Sequence, residues 1–149
     1  MSFQKQRYYY SEKELSVLIQ DMKNSFEGRF NSSGLDGVFL NLKDFKVGLS
    51  SIISFSNFAY KTTYLNGEVY IDRDGWSIVK FKLSANPIFW FQWYFFILLF
   101  SNSLYKDGGI IVTAIFLCTG VAVIYFISKW IKYILKERFV SVLCLKEIS

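Results

Sequence analysis

Two uncharged apolar runs in close succession constrain this sequence more than any other feature. Ile88 to Tyr105 contains no Asp, Glu, Lys or Arg and is dominated by Phe, Trp, Ile and Leu; Ile110 to Ser128 is a second such run, and only Lys106-Asp107-Gly108-Gly109 separates them. A helix of about 18 residues is near the short end of what crosses a ~30 Å hydrocarbon core. Gln92 and Ser101-Asn102-Ser103 weaken the first run toward its edges. The alternative, a buried hairpin in a soluble protein, would need a much larger protein around it than 149 residues supply. The pattern predicts a two-helix transmembrane hairpin over 87–128, with Asn86 as its N-cap and Pro87 at the first helical position, where the missing N–H costs nothing.

The chain before the hairpin has a different period. Ser11-Glu12-Lys13-Glu14 has the capping-box pattern, and Leu15, Leu18, Ile19 and Met22 follow at helical spacing, which predicts a short helix. Its apolar face is expected to pack on the following strands, with a membrane-surface helix as the alternative. Phe45, Val47 and Leu49 then alternate with Lys46, Gly48 and Ser50; Phe58, Tyr60, Thr62 and Tyr64 repeat the rhythm, as do Val79, Phe81 and Leu83. Asp72-Arg73-Asp74-Gly75 reads as a hairpin turn between Val69-Tyr70-Ile71 and Trp76-Ser77-Ile78, while Asn66-Gly67 is a second turn or a bulge in one long strand. With further strands near Phe26 to Phe30 and Val38 to Leu42, the expected set is five or six strands curled into a small antiparallel roll or barrel. The fold class is thus an α+β membrane protein. Its regions are a cytoplasmic helix and β-rich domain (1–86), the hairpin (87–128) and a basic C-terminal segment (129–149) that continues as helix or returns as a strand.

Aromatic and charged residues set the topology. Trp90, Trp93 and Tyr94 near the start of the first span, and Tyr125, Trp130 and Tyr133 near the end of the second, are expected to share one interfacial belt. Lys129, Lys132, Lys136 and Arg138 lie beside that belt with Lys80 and Lys82, whereas the connecting loop has only Lys106 next to Asp107. By the positive-inside rule both termini and the β-rich domain face the cytoplasm, and the same basic residues suit contacts with anionic lipid. The expected location is the bacterial cytoplasmic (inner) membrane. Met1 to Tyr10 carries basic residues with no apolar segment behind them, so insertion is expected to be directed by the hairpin rather than by a signal peptide.

Several chemistries lack the residues they need. There is no histidine, which removes the usual neutral-pH proton shuttle and the commonest metal ligand. Cys118 and Cys144 have no motif spacing and are read as reduced packing residues. Asp72-Arg73-Asp74-Gly75 resembles the start of a calcium loop but lacks the closing glutamate. No phosphate-binding glycine loop or nucleophile elbow is present, and the spans hold no ionisable side chain for a proton relay. Neither an enzymatic role nor a cofactor is expected. Residues 1 to 86 hold 11 basic and 9 acidic side chains, too balanced for a nucleic-acid surface. Gln92 reads as an interfacial residue beside Trp93. Ala114, Cys118 and Ala122 recur every four residues on the second span, a stripe of small side chains that packs against the first helix or against another copy of the chain.

A domain over Ser11 to Leu83 on a hairpin from Pro87 to Ser128 resembles, in layout, the small two-span membrane effectors of bacterial antiphage systems. That resemblance implies a domain that senses a ligand or partner and controls assembly of membrane-disrupting hairpins, although in such effectors the membrane helices precede the β-domain. The strands are also similar to bacterial pleckstrin-homology-like domains, which can carry a membrane hairpin, and a last strand at Val140 to Leu145 would complete such a fold. This second resemblance implies a membrane-anchored binding or scaffolding module, or a small subunit of a larger membrane complex. The partners expected are the lipid bilayer, a further copy or another protein, and a small ligand.

Overall fold

The computed structural model describes residues 6–26, 33–50 and 63–148. Its elements are β1 (Arg7–Ser11), α1 (Leu15–Phe26), β2 (Leu35–Phe39), β3 (Asp44–Leu49), β4 (Thr63–Ile71), β5 (Ser77–Ala85), α2 (Pro87–Val142) and β6 (Lys146–Glu147). The strands form one antiparallel sheet in the order β2-β3-β4-β5-β1-β6. The expected roll or barrel is, among the described residues, an open sheet with β2 and β6 at its edges. The expected strand at Phe58 to Thr62 lies outside the described residues, as does most of the one expected from Phe26 to Phe30; Phe26 itself ends α1.

The two-residue rhythm places Phe45, Val47, Leu65, Val69, Val79 and Phe81 on one face, and all are buried. That face is covered by α1, through Leu18, Met22 and Phe26 spaced four apart, and by the last turns of α2, through Leu135, Phe139 and Leu143. The apolar face of α1 is therefore used by the sheet. Phe139 is the keystone of the aromatic core: its ring stacks on Phe45 at 5.5 Å and meets Phe81 edge-on at 5.4 Å, while Tyr9 stacks on the far side of the cluster against Phe81 at 5.1 Å.

Several boundaries differ from the sequence reading. Ser11 closes β1 instead of capping a helix at position 12; its Oγ accepts from the Lys13 N–H, and the first α1 bond runs from Leu18 N–H to Glu14 C=O. Asn66-Gly67 is neither a turn nor a bulge, because β4 keeps one-to-one register with β3 and β5 through both residues. Glycine is required at 67 because a Cβ would stand 2.5 Å from Phe45 Cζ and 2.6 Å from the Lys80 carbonyl oxygen. Gly75, with φ +83°, does make the expected β4–β5 turn.

The C-terminal segment is both helix and strand. α2 ends in a Schellman motif: Leu145 N–H bonds to Val140 C=O and Cys144 N–H to Ser141 C=O, with Leu145 buried. Cys144 takes the left-handed position at φ 52°, where glycine is usual, and both it and Cys118 are exposed. Neither cysteine is the packing residue expected. The reversal at Cys144 lets β6 return to pair with β1.

Two outcomes test this packing. Phe139→Ala should destabilise the domain by about 3–5 kcal/mol, seen as a large drop in Tm in detergent. Cys144→Gly should raise stability by about 0.5–1 kcal/mol by relieving the left-handed backbone; an unchanged or lower Tm would show that the residue carries no conformational strain.

Candidate functional site

The long helix α2 is two arms joined at Gly109, whose φ of 71° and ψ of −175° leave the helical region. Asn86 starts the first arm as anticipated: its backbone is extended, its side chain accepts from the Ile88 N–H at 3.1 Å, and Pro87 follows. The second arm runs without interruption from residue 110 to 142, about 50 Å at 1.5 Å per residue. This arm makes up nearly all of Gly108–Val142, a helix long and apolar enough to cross a membrane. The first arm is rich in aromatic residues and more polar toward the turn.

The arms lie side by side. A Cβ at Gly120 would stand 3.1 Å from Ile97 Cδ1, although 22 residues separate them in sequence and the chain turns at Gly109 between them. In the second arm the less exposed positions are Thr113, Leu117, Gly120, Ile124 and Ser128, and in the first Ile97, Ser101 and Leu104. These recur at three- and four-residue spacing, so each arm turns one stripe toward the other. Ser101, 5% exposed, satisfies its hydroxyl on the Ile97 carbonyl at 2.7 Å.

Ala114, Cys118 and Ala122 are exposed, on the outside of the pair. The face that meets the first arm is that of Gly120, so of the two uses expected for the small-residue stripe, packing against the chain's own first helix does not occur here. The signal was present in the period: Gly120 falls in step with Ile124, Ser128, Ile131, Leu135 and Phe139, the stripe that continues into the domain core. Elsewhere the hairpin surface is apolar and uncovered, with Phe91, Ile110 and Ile111 each more than 70% exposed.

Of the six aromatic residues expected in one belt, Trp90, Trp93 and Tyr94 lie near the start of the first arm and Tyr125, Trp130 and Tyr133 on the second arm. Trp93, Tyr94, Tyr125, Trp130 and Tyr133 are exposed, as is Gln92; Trp90 is half-buried and its Nε1–H is buried with no acceptor among the described residues.

Of the basic residues, Lys129 holds its ammonium 4.8 Å from the Tyr125 ring centroid, Lys136 pairs with Glu137 at 3.5 Å, and Lys132 is half-buried. Arg138 packs against Gly34, so that a Cβ there would collide with its guanidinium. Lys13, Lys80 and Lys146 each donate to a carboxylate, of Asp21, Glu68 and Glu12 respectively, and these hydrogen bonds raise the pKa of all three.

The uncovered face of the sheet carries an open groove of about 680 Å³ lined by Tyr8, Leu42, Asp44, Glu68, Tyr70 and Lys80. Burial pushes the Tyr70 hydroxyl pKa up. Among the described residues no three His, Cys, Asp or Glu side chains converge to hold a metal ion. No protein-family model matches the chain, and no curated protein matches it.

The arm contact gives a direct test. Gly120→Leu should separate the arms and lower Tm, while Ala114→Leu, on the outside, should leave the unfolding free energy of the detergent-solubilised protein within about 0.5 kcal/mol of wild type. Equal loss in both would contradict the Gly120 seam.

Proposed function

We propose that this chain is a non-catalytic, two-span protein of a bacterial cytoplasmic membrane, with its sheet domain and both termini on the cytoplasmic side. The sheet binds a ligand or protein partner, and the second arm of α2 couples that event to the hairpin. The continuity of this arm carries the reading: a single helix holds apolar, uncovered residues at one end and Leu135, Phe139 and Leu143 in the sheet core at the other. A displacement of the core against the sheet must move or strain the helix, because close-packed interiors transmit rather than absorb such shifts. The groove lined by Tyr8, Glu68 and Lys80 is a suitable place for an occupant.

Contact between the arms supports two spans rather than one. With Ile97 against Gly120, the arms share one depth, so a bilayer that accepts residues 110–128 also receives the first arm. Its Phe, Trp and Tyr content suits a short span with aromatic anchors.

The outward position of Ala114, Cys118 and Ala122 favours a second reading, in which hairpins assemble through this stripe and disturb the membrane, as in antiphage effectors. Small side chains let membrane helices approach closely. Expression of the wild type, with its trigger, should then depolarise the membrane, and Ala114→Leu/Ala122→Leu at equal abundance should not. A membrane-anchored scaffold or a subunit of a larger complex tolerates both changes and is sensitive instead on the uncovered sheet face.

Topology is tested with a membrane-impermeant maleimide on intact spheroplasts. Lys106→Cys should be labelled from outside, Cys144 only after permeabilisation, and Cys118 in neither case. If Lys106→Cys also requires permeabilisation, the two-span reading fails.

A further inference from the structure

The nearly balanced charge of the β-rich region is sorted by the fold along the axis of the hairpin. β5 leaves the sheet at Ala85 and enters α2 at Pro87, so the end of the sheet marked by Thr63, Ala85 and Leu49 adjoins the hairpin. The opposite end carries Glu12, Glu14 and the Asp72-to-Gly75 turn. On the uncovered face, the cross-strand row nearest the hairpin is Asp36, Gly48, Tyr64, Ser84; the next is Lys46, Asn66, Lys82, and the one beyond it is Asp44, Glu68, Lys80, where Lys80 is paired with Glu68 at 2.7 Å. On the helical side, Arg138 lies over Gly34, just before β2, and Lys129 and Lys132 lie on α2 between the apolar run ending at Ser128 and the core residue Leu135.

Carboxylates follow the opposite trend. Between Gly75 and Lys136 the only acidic residue is Asp107, at the far turn of the hairpin. Toward the hairpin end of the domain, the described acids are Asp36, and Glu137 already paired with Lys136. Among the described residues Lys82, Lys129, Lys132 and Arg138 have no carboxylate partner, whereas Lys80 in the next row outward, and Lys13 and Lys146 at the other end, are each ion-paired.

Resting on the reading that the hairpin is membrane-inserted, we propose that the hairpin end of the domain is a docking surface for anionic phospholipid headgroups of the leaflet it enters. Its cations, Lys46, Lys82, Lys129, Lys132 and Arg138, surround the stalk on both faces of the sheet. Distance makes the sorting effective. Lys82 is three residues from Ala85, about 10 Å along a strand, close to one Debye length at physiological salt; the Asp72–Gly75 turn is about 30 Å away, where its charge is screened. The leaflet therefore meets a cationic surface on a domain that is nearly neutral as a whole. The domain is held down against the membrane, with its acidic end outward.

The test uses the full chain reconstituted in phosphatidylcholine vesicles with spin-labelled phosphatidylglycerol or spin-labelled phosphatidylcholine, comparing the motionally restricted fraction of each. Phosphatidylglycerol should be preferred about fivefold or more per engaged lysine. The preference should fall toward one as ionic strength rises, and should be reduced separately by Lys46→Gln/Lys82→Gln and by Lys129→Gln/Lys132→Gln. Lys13→Gln/Lys146→Gln at the far end should retain it. A ratio of one in wild type, with a normal restricted population, overturns the docking surface and leaves insertion standing. Loss of preference in the helix variant alone removes the sheet from the surface and overturns the proposal. No restricted population for either lipid overturns insertion and docking together. Displacement of phosphatidylglycerol by single-stranded RNA at equal phosphate would assign the surface to nucleic acid instead.

Discussion

The ring of Phe139 sits between Phe45 and Phe81, and most of what is distinctive in this molecule depends on that placement. Phe139 belongs to the helix that carries the most apolar stretch of the chain, yet it fills the centre of the sheet core. Phe45 brings β3 to the cluster, Phe81 brings β5, and Tyr9 brings β1 by stacking on Phe81. Three strands and the second arm of α2 thus share one aromatic nucleus. An ordinary flexible tether would leave the hairpin and the sheet independent, whereas this helix makes them parts of one packed body.

Much of this was legible because periodicity reports burial. The alternation at Phe45, Val47 and Leu49, the Asp-Gly turn before Trp76, and the Asn86-Pro87 start of α2 appear where local chemistry requires them. β1 was not legible, since Tyr8-Tyr9-Tyr10 gives no alternation even though Tyr9 is buried and its neighbours are not. Ser11 and Glu14 mimic a capping box whose residues instead end a strand and lead into a helix. Gly67 looked like punctuation, but it is a vacancy made for the Phe45 ring, a tertiary demand that no local rule expresses.

The hairpin shows the same division. Its existence follows from two uncharged runs, but the choice of facing residues does not, because Ala114, Cys118 and Ala122 form as good a small-residue stripe as any in the sequence. What decides between stripes is the helix beyond the span. Leu135 and Phe139 must face the sheet, and a continuous helix carries that rotation back to Gly120, turning the alanines outward. The charge pattern was hidden for a related reason: counting residues 1 to 86 averages over two ends that the antiparallel register separates.

The pairing of β6 with β1 has a consequence for the order in which the molecule is made. Phe139, Leu143 and β6 all come after the hairpin in the chain, whereas the strands they complete come before it. During synthesis the sheet therefore waits, with Phe45, Phe81 and Tyr9 uncovered, until the hairpin and the turns beyond it have emerged. Closure of the core is therefore a late event, set by the last turns of α2 and by β6 rather than by the strands themselves.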